Sequence, residues 1–264
     1  MTVSDTTIVG EGPPIVLLHG VGLDRSMWNG VTSHLSTRFT CVTFDLPCHG
    51  TSPMPKKEVT LRTFSEALAK VVGRVQPVRP MLVGFSMGAM VALRFALDSP
   101  NSVSRLVLLN AISERDSKQR AAIMERLAGA ELEGPSSMIE AALARWFSAT
   151  FHCTNPEDIG RVRSRLLAND PDAYLAAYRV FATADKELAP LIDRITCPTL
   201  VVTAERDVNS TPTMTEEMAA KIPKAKGLVL DGLAHGAPIE APRRVAGVLE
   251  DWWDNSGLVN GGNT

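Results

Sequence analysis

Ser86 stands between two glycines in the stretch Gly84-Phe85-Ser86-Met87-Gly88, directly after the apolar run Met81-Leu82-Val83. The spacing is G-x-S-x-G, whose physical reading is a strained strand-to-helix turn that lifts a hydroxyl clear of a sheet for attack on a carbonyl. Such a hydroxyl needs a base, and the base needs a carboxylate to orient it. Histidine suits the first task because its ordinary pKa lies near neutrality. Of the five histidines, His34 falls in a surface-like helical stretch, His152 in a helical region, and His19 and His49 in turns. His235, in "LDGLAHGAPIEAP", follows the last apolar run in a glycine-containing loop, where open α/β sheets place ligand chemistry. The orienting carboxylate should close an earlier strand. "TLVVTAERDVNSTP" offers Glu205 and Asp207, and Asp207 stands where strand has given way to loop. A lone loop aspartate is usually a turn or cap residue. Three residues in the order Ser86, Asp207, His235, each closing a separate apolar run, are much harder to obtain by accident.

Attack on a carbonyl also needs donors for the oxyanion that develops. One is expected from the Met87 N–H, after the nucleophile and at a helix amino terminus. The other is expected from Val21 in "LLHGVGLDRSMW", with His19 as a loop organiser rather than a second base.

These residues need a scaffold. "PIVLLHG" (14–20), "FTCVTFDLP" (39–47), "MLVGFS" (81–86), "SRLVLLNA" (104–111), "CPTLVVTAE" (197–205) and "KGLVLDG" (226–232) are short apolar runs. Runs apolar on both faces suit strands covered by helices on both sides, as in parallel sheets. Helical patterns lie between them, at 60–75 and 87–100, so the expectation is an α/β fold with a mostly parallel, doubly wound sheet. Between about Ser113 and Pro190 the alternation stops and the chain reads as helix throughout, with Asn155-Pro156 and Asp170-Pro171 as helix starts. The division expected is 1–112 and 191–256 as α/β core and 113–190 as an all-helical lid, with 257–264 a frayed tail. The competing reading of 113–190 is a run of connecting helices with no part in a site.

The 264 residues suffice for one large domain whose interior can exclude water from a site. Lys+Arg number 27 against 29 Asp+Glu, which leaves no broad basic footprint for nucleic acid and no basic block for a membrane surface. The start "MTVSDTTIVGEGPP" has neither a positive opening nor an apolar signal core, so no secretory peptide is expected. Cys41, Cys48, Cys153 and Cys197 lack metal-ligand spacing, which points to a reduced, cytosolic protein without zinc or disulfides. A small molecule is the expected partner; the oligomeric state stays open, a homodimer among the options.

The landmarks "HGVGLDRSMW", "FDLPCHGTS", "GFSMGAM", "LVVTAERDVNSTP" and "GLAHGAPIEAP" resemble the α/β-hydrolase superfamily over essentially the whole chain. Within it, "ALARWFSATF" (142–151) and "DPDAYLAAYRVFATAD" are most similar to the 3-oxoadipate enol-lactonase group. The resemblance implies a serine hydrolase of small esters or enol-lactones that uses no metal or organic cofactor. It also implies that Arg145 and Trp146 face the pocket, Arg145 to clamp a carboxylate and Trp146 as a flat wall; the competing reading is a lid salt bridge and a core indole. Two departures stand out. Cys48 replaces the glycine of a D-x-P-G-H-G turn, which puts that backbone in question and offers a second, poorly supported nucleophile. Ala89 replaces a frequent third glycine and would tighten the site floor. The same relay serves carbon–carbon hydrolysis of vinylogous diketones, small-amide hydrolysis and perhydrolase or haloperoxidase chemistry, and some members act as ligand receptors.

Overall fold

A computed structural model describes residues 6–75, 77–112 and 114–256, so the tail reading for 257–264 lies outside the described residues. The six apolar runs become strands β2 (Pro14–Leu18), β3 (Thr40–Phe44), β4 (Met81–Phe85), β5 (Arg105–Leu109), β6 (Thr199–Ala204) and β7 (Ala225–Leu230). They pair in parallel in the order β3-β2-β4-β5-β6-β7. A further strand, β1 (Thr6–Val9), was not anticipated: its polar "TTIV" pairs antiparallel with β3 at the sheet edge, Thr6 opposite Phe44. The alternation of side chains along each strand divides the interior in two. Val16, Leu18, Val42, Leu82 and Leu108 face one core, and Ile15, Leu17, Cys41, Val83 and Leu109 face the other. Helices α2 (Leu61–Val75) and α3 (Met87–Asp98) close the first core. Helices α1 (Asn29–Leu35) and α10 (Pro242–Ser256) close the second.

Strand β7 departs from the two-sided covering expected of it. Lys226, Gly227 and Leu228 are exposed because β7 is the outer strand, with α9 (Pro212–Lys221) on one face, where a β-carbon on Gly227 would touch Thr215 and Ala219. Its apolar run reflects a single packed face.

Five helices fill the stretch between β5 and β6: α4 (Ser117–Glu133), α5 (Ile139–Trp146), α6 (Ala149–Thr154), α7 (Pro156–Leu167) and α8 (Pro171–Leu188). Proline opens α7 and α8, and Asp170 caps α8 by accepting from the Ala173 N–H at 2.9 Å. The helical pattern over 136–151 breaks into α5 and α6 at Phe147, which is extended, because the Ser148 hydroxyl caps α6 through the Phe151 N–H. Asp185 on α8 is buried and accepts from both Arg115 (2.6 Å) and Arg120 (2.8 Å), tying the start of this segment to its last helix. Among the described residues, no helix is long and apolar enough to cross a membrane.

The turn from β4 into α3 rests on two glycines. A β-carbon on Gly84 would collide with the backbone of Gly88 and come within 2.5 Å of Ala89 Cα; one on Gly88 would sit 2.5 Å from the carbonyl oxygens of Leu18 and His19. Helix α3 therefore descends onto the sheet without a side-chain layer between them. The departure at Ala89 is absorbed here: the residue is buried against Gly84 and is not part of the cleft floor. Gly84→Ala is expected to lower unfolding stability by about 1–3 kcal/mol, the usual cost of forcing volume into a packed core, measurable as a shifted urea midpoint.

Candidate active site

Ser86 occupies the junction of β4 and α3 with φ 53° and ψ −115°, a left-handed backbone that a non-glycine residue adopts only under constraint. Its own N–H donates to the Leu109 carbonyl at 2.9 Å, which fixes the turn against β5. The strain presents the hydroxyl at the rim of the sheet, where it lines a cleft.

His235 and Asp207 meet below that rim. The His235 Nδ1–H donates to Asp207 Oδ2 at 2.6 Å. Exposure is 4% for Ser86, 4% for His235 and 2% for Asp207, so the relay lies out of bulk water. Asp207 Oδ1 accepts from the N–H groups of Asn209 (2.8 Å) and Ser210 (3.0 Å), and Oδ2 accepts a second bond from Asn110 Nδ2 at 2.8 Å. Burial alone would raise the Asp207 pKa; the His235 charge and these hydrogen bonds outweigh it and hold the carboxylate below its ordinary value. Bonding through Nδ1 assigns the tautomer and leaves Nε2 turned to other work. Ser86 and His235 line the same cleft. No hydrogen bond joins them among the described residues.

Glu205, the competing carboxylate, is exposed and accepts from the Gly232 N–H at 2.7 Å, closing a turn away from His235. Asn110 was missed. It directly follows β5 with φ 50°, a conformation asparagine tolerates better than most residues, and the only sequence signal was an asparagine ending "SRLVLLN". His34 is exposed on α1, and His152 contacts the Leu143 carbonyl at 3.1 Å.

Met87 is the first residue of α3, so its N–H has no acceptor within the helix. Val21 lines the cleft beside Ser86. The close approach depends on Gly20, where a β-carbon would stand 2.9 Å from Phe85 Cδ1 and 3.3 Å from Ser86 Cβ. His19 organises the loop, its Nδ1–H donating to the Gly20 carbonyl at 2.8 Å and its Nε2 accepting from the Leu46 N–H at 2.9 Å. Buried Asp45 joins this loop to the next one, accepting from Arg25 (2.5 Å) and the Thr51 N–H (2.9 Å). Cys48, in that second loop, has a left-handed backbone at φ 68°, a conformation that glycine adopts more readily. Its thiol is buried and pushed up to about 11, chiefly by desolvation, which is the opposite of nucleophile activation.

Arg145 and Trp146 both line the cleft. The Trp146 ring lies 6.0 Å from the His235 ring, and Phe85 lies 5.0 Å from it on centroids. Arg145 makes no ion pair among the described residues, and its buried Nε has no partner, so the salt-bridge reading does not hold. Helix α5 is also sewn to the histidine loop: the Gly236 N–H donates to the Trp146 carbonyl at 2.6 Å, and Glu240 accepts from both the Ser148 hydroxyl and the Ala234 N–H. The cleft has a cavity volume of about 140 Å³ and opens to solvent.

A model of the alpha/beta hydrolase family matches residues 15–248. The chain is 30% identical over 249 residues to an (E)-2-((N-methylformamido)methylene)succinate hydrolase of Acinetobacter baylyi, covering 94% of this chain and 92% of that one. The solved enol-lactonase from Burkholderia xenovorans is similar at a TM-score of 0.88 and 26% identity, over 96% of this chain and 98% of the other. A thermophilic esterase from Thermogutta terrifontis, solved with malate bound, gives 0.86 at 27% identity, over 96% and 93%.

The buried histidines make a stability prediction. Burial holds both His19 and His49 below the ordinary value, His49 down to about 3, and proton uptake at His19 Nε2 would displace the Leu46 N–H. The unfolded chain takes these protons near pH 6.5 and the folded chain resists, so stability is complete above that pH and falls on acidification, by up to about 1.4 kcal/mol per pH unit for each histidine. Asp45 and Asp207, whose folded pKa values are depressed, lose their contributions only below about pH 4. Urea midpoints between pH 7 and 5 should therefore fall, and His49→Gln should make that fall shallower.

Proposed function

The chain belongs to the alpha/beta hydrolase family and is an enzyme of the hydrolase class, and on that premise we propose that Ser86 is the nucleophile, His235 the base and Asp207 its orienting carboxylate in hydrolysis of a small carboxylate-bearing ester or lactone. The observation that carries this reading is the buried 2.6 Å bond from His235 to Asp207 at the cleft Ser86 lines. His235 Nε2 takes the hydroxyl proton as Ser86 Oγ bonds to the carbonyl carbon. The oxyanion is held by the Val21 and Met87 N–H groups. As it collapses, the carbonyl–oxygen bond to the leaving group breaks, and His235 returns the proton to that oxygen. Water, deprotonated by the same imidazole, then cleaves the acyl-serine and restores Ser86. Asp207 keeps the tautomer and stabilises the imidazolium.

Arg145 meets a substrate carboxylate through its unpartnered guanidinium, Trp146 forms the wall over the reacting centre, and α4–α8 serve as the lid. The Acinetobacter relative, whose name designates a substituted methylenesuccinate, and the malate in the Thermogutta esterase structure support a carboxylate on the substrate. A small amide is the second reading, favoured by the N-methylformamido group in that relative's name.

A fluorophosphonate probe should label the wild-type protein at Ser86. Ser86→Ala should remove labelling, and kcat on p-nitrophenyl esters should fall about 10⁴-fold for Ser86→Ala and for Asp207→Asn; comparable loss in Glu205→Gln would reassign the carboxylate. Arg145→Ala should lower kcat/KM for a p-nitrophenyl hemiester about tenfold more than for its uncharged counterpart, the value of one charge-assisted hydrogen bond. Equal losses on both esters would make Arg145 structural.

A further inference from the structure

We infer that the Ser86 cleft takes a substrate with two anionic groups, and that Arg126 on α4 binds the second. The inference rests on the hydrolytic reading for where the reacting carbonyl sits, but its charges come from side chains with no part in that chemistry.

Arg115, Arg126 and Arg145 line the cleft, and among the described residues no aspartate or glutamate does. Arg115 pairs with Asp185 at 2.6 Å, a carboxylate it shares with Arg120, and its buried Nη2 has no hydrogen-bond partner among the described residues. Arg126 and Arg145 are not neutralised: neither forms an ion pair with any described residue, and the buried Arg145 Nε has no hydrogen-bond partner among them. Other arginines of the same helical segment are treated differently. Arg163 is held by Glu140 at 2.6 Å and Arg179 by Glu131 at 2.8 Å.

The two unpaired guanidiniums are close enough to feel one another. Burial first, and then the Arg126 charge, hold the Arg145 guanidinium below its ordinary range. Two like charges sharing a partly desolvated wall repel one another. One bidentate carboxylate fills the fork of Arg145 and still leaves Arg126 uncompensated. A second anionic group resolves both.

The placement of Arg126 follows from the helix. Gln119, Ala122, Ile123 and Arg126 recur at three- and four-residue spacing, so one face of α4 lines the cleft from its capped amino end onward. Gln119 is committed to the cap, its Oε1 accepting from the Asp116 N–H at 2.9 Å. Arg126 is the charged group on that face. The ligand chemistry is therefore a short dicarboxylate skeleton carrying the scissile ester, lactone or amide.

Matched five-carbon acids test this without turnover. In the Ser86→Ala protein, titration calorimetry should give glutarate a Kd at least about tenfold below that of pentanoate, the value of one added charge-assisted hydrogen bond. Arg126→Gln in that background should abolish most of the preference, and Arg126→Lys should restore part of it. Equal Kd values, no binding of either acid, a preference that survives Arg126→Gln, or a loss that Arg126→Lys leaves unrepaired would each overturn the inference. Labelling of the wild-type serine by the fluorophosphonate is independent of these outcomes, so failure of the anion site and failure of the hydrolytic reading are distinguishable.

Discussion

A carboxylate in a protein interior is tolerable only when its oxygens are satisfied, because burying an unpaired charge is among the costliest acts in folding. Asp207 meets that requirement with four hydrogen bonds. Their donors come from three separate places: the end of β5, the loop after β6 and the loop after β7. The Ser210 hydroxyl donates back to the Asn110 carbonyl at 2.8 Å, and Thr203 donates to the Ser210 carbonyl at 2.5 Å, so the neighbouring strand ends hold one another. A one-residue slip of β6 against β5 would break the set and turn the strand's side chains to the wrong core. The sheet register and the orientation of His235 are thus one constraint seen at two scales.

Backbone strain is concentrated around the same rim. The three described non-glycine residues with positive φ are Cys48, Ser86 and Asn110, each beyond the carboxyl end of a strand. Such conformations persist only where the surroundings over-determine them. At Ser86 the surroundings are Gly84, Gly88 and the bond to Leu109; at Asn110 they are the Val202 carbonyl, reached at 2.7 Å, and Asp207. At Cys48 the neighbouring turn is braced by Asp45. Gly50, two residues on, leaves no room for a β-carbon beside that carboxylate.

How much of this could be read from the chain depends on how far each signal reaches. Apolar runs announce buried strands because the alternation of faces is local, and all six became strands. The serine between glycines and the Asp-Pro helix start are equally local. Strand β1 escaped because an edge strand needs little hydrophobicity, and β7 misled because one apolar face resembles two in so short a run. Asn110 and Arg126 carry no local mark. What distinguishes Asn110 is a carboxylate 97 residues away, and what distinguishes Arg126 is the absence of one, which only the folded arrangement reveals. The same holds for the break at Phe147, where a serine cap competes with an otherwise continuous helical pattern.

The stitching between α5 and the loop after β7 has a consequence for how this architecture can vary. The Trp146 carbonyl, the Ser148 hydroxyl and the face of Phe147 all terminate on residues 234–240, and Gly236 has no room for a side chain against that ring. A helical cap transplanted from a relative would arrive without its docking cradle unless Gly236 and Glu240 travelled with it. In recombination terms the segment is not a cassette bounded by β5 and β6, because its true seam runs through the carboxyl-terminal half of the chain.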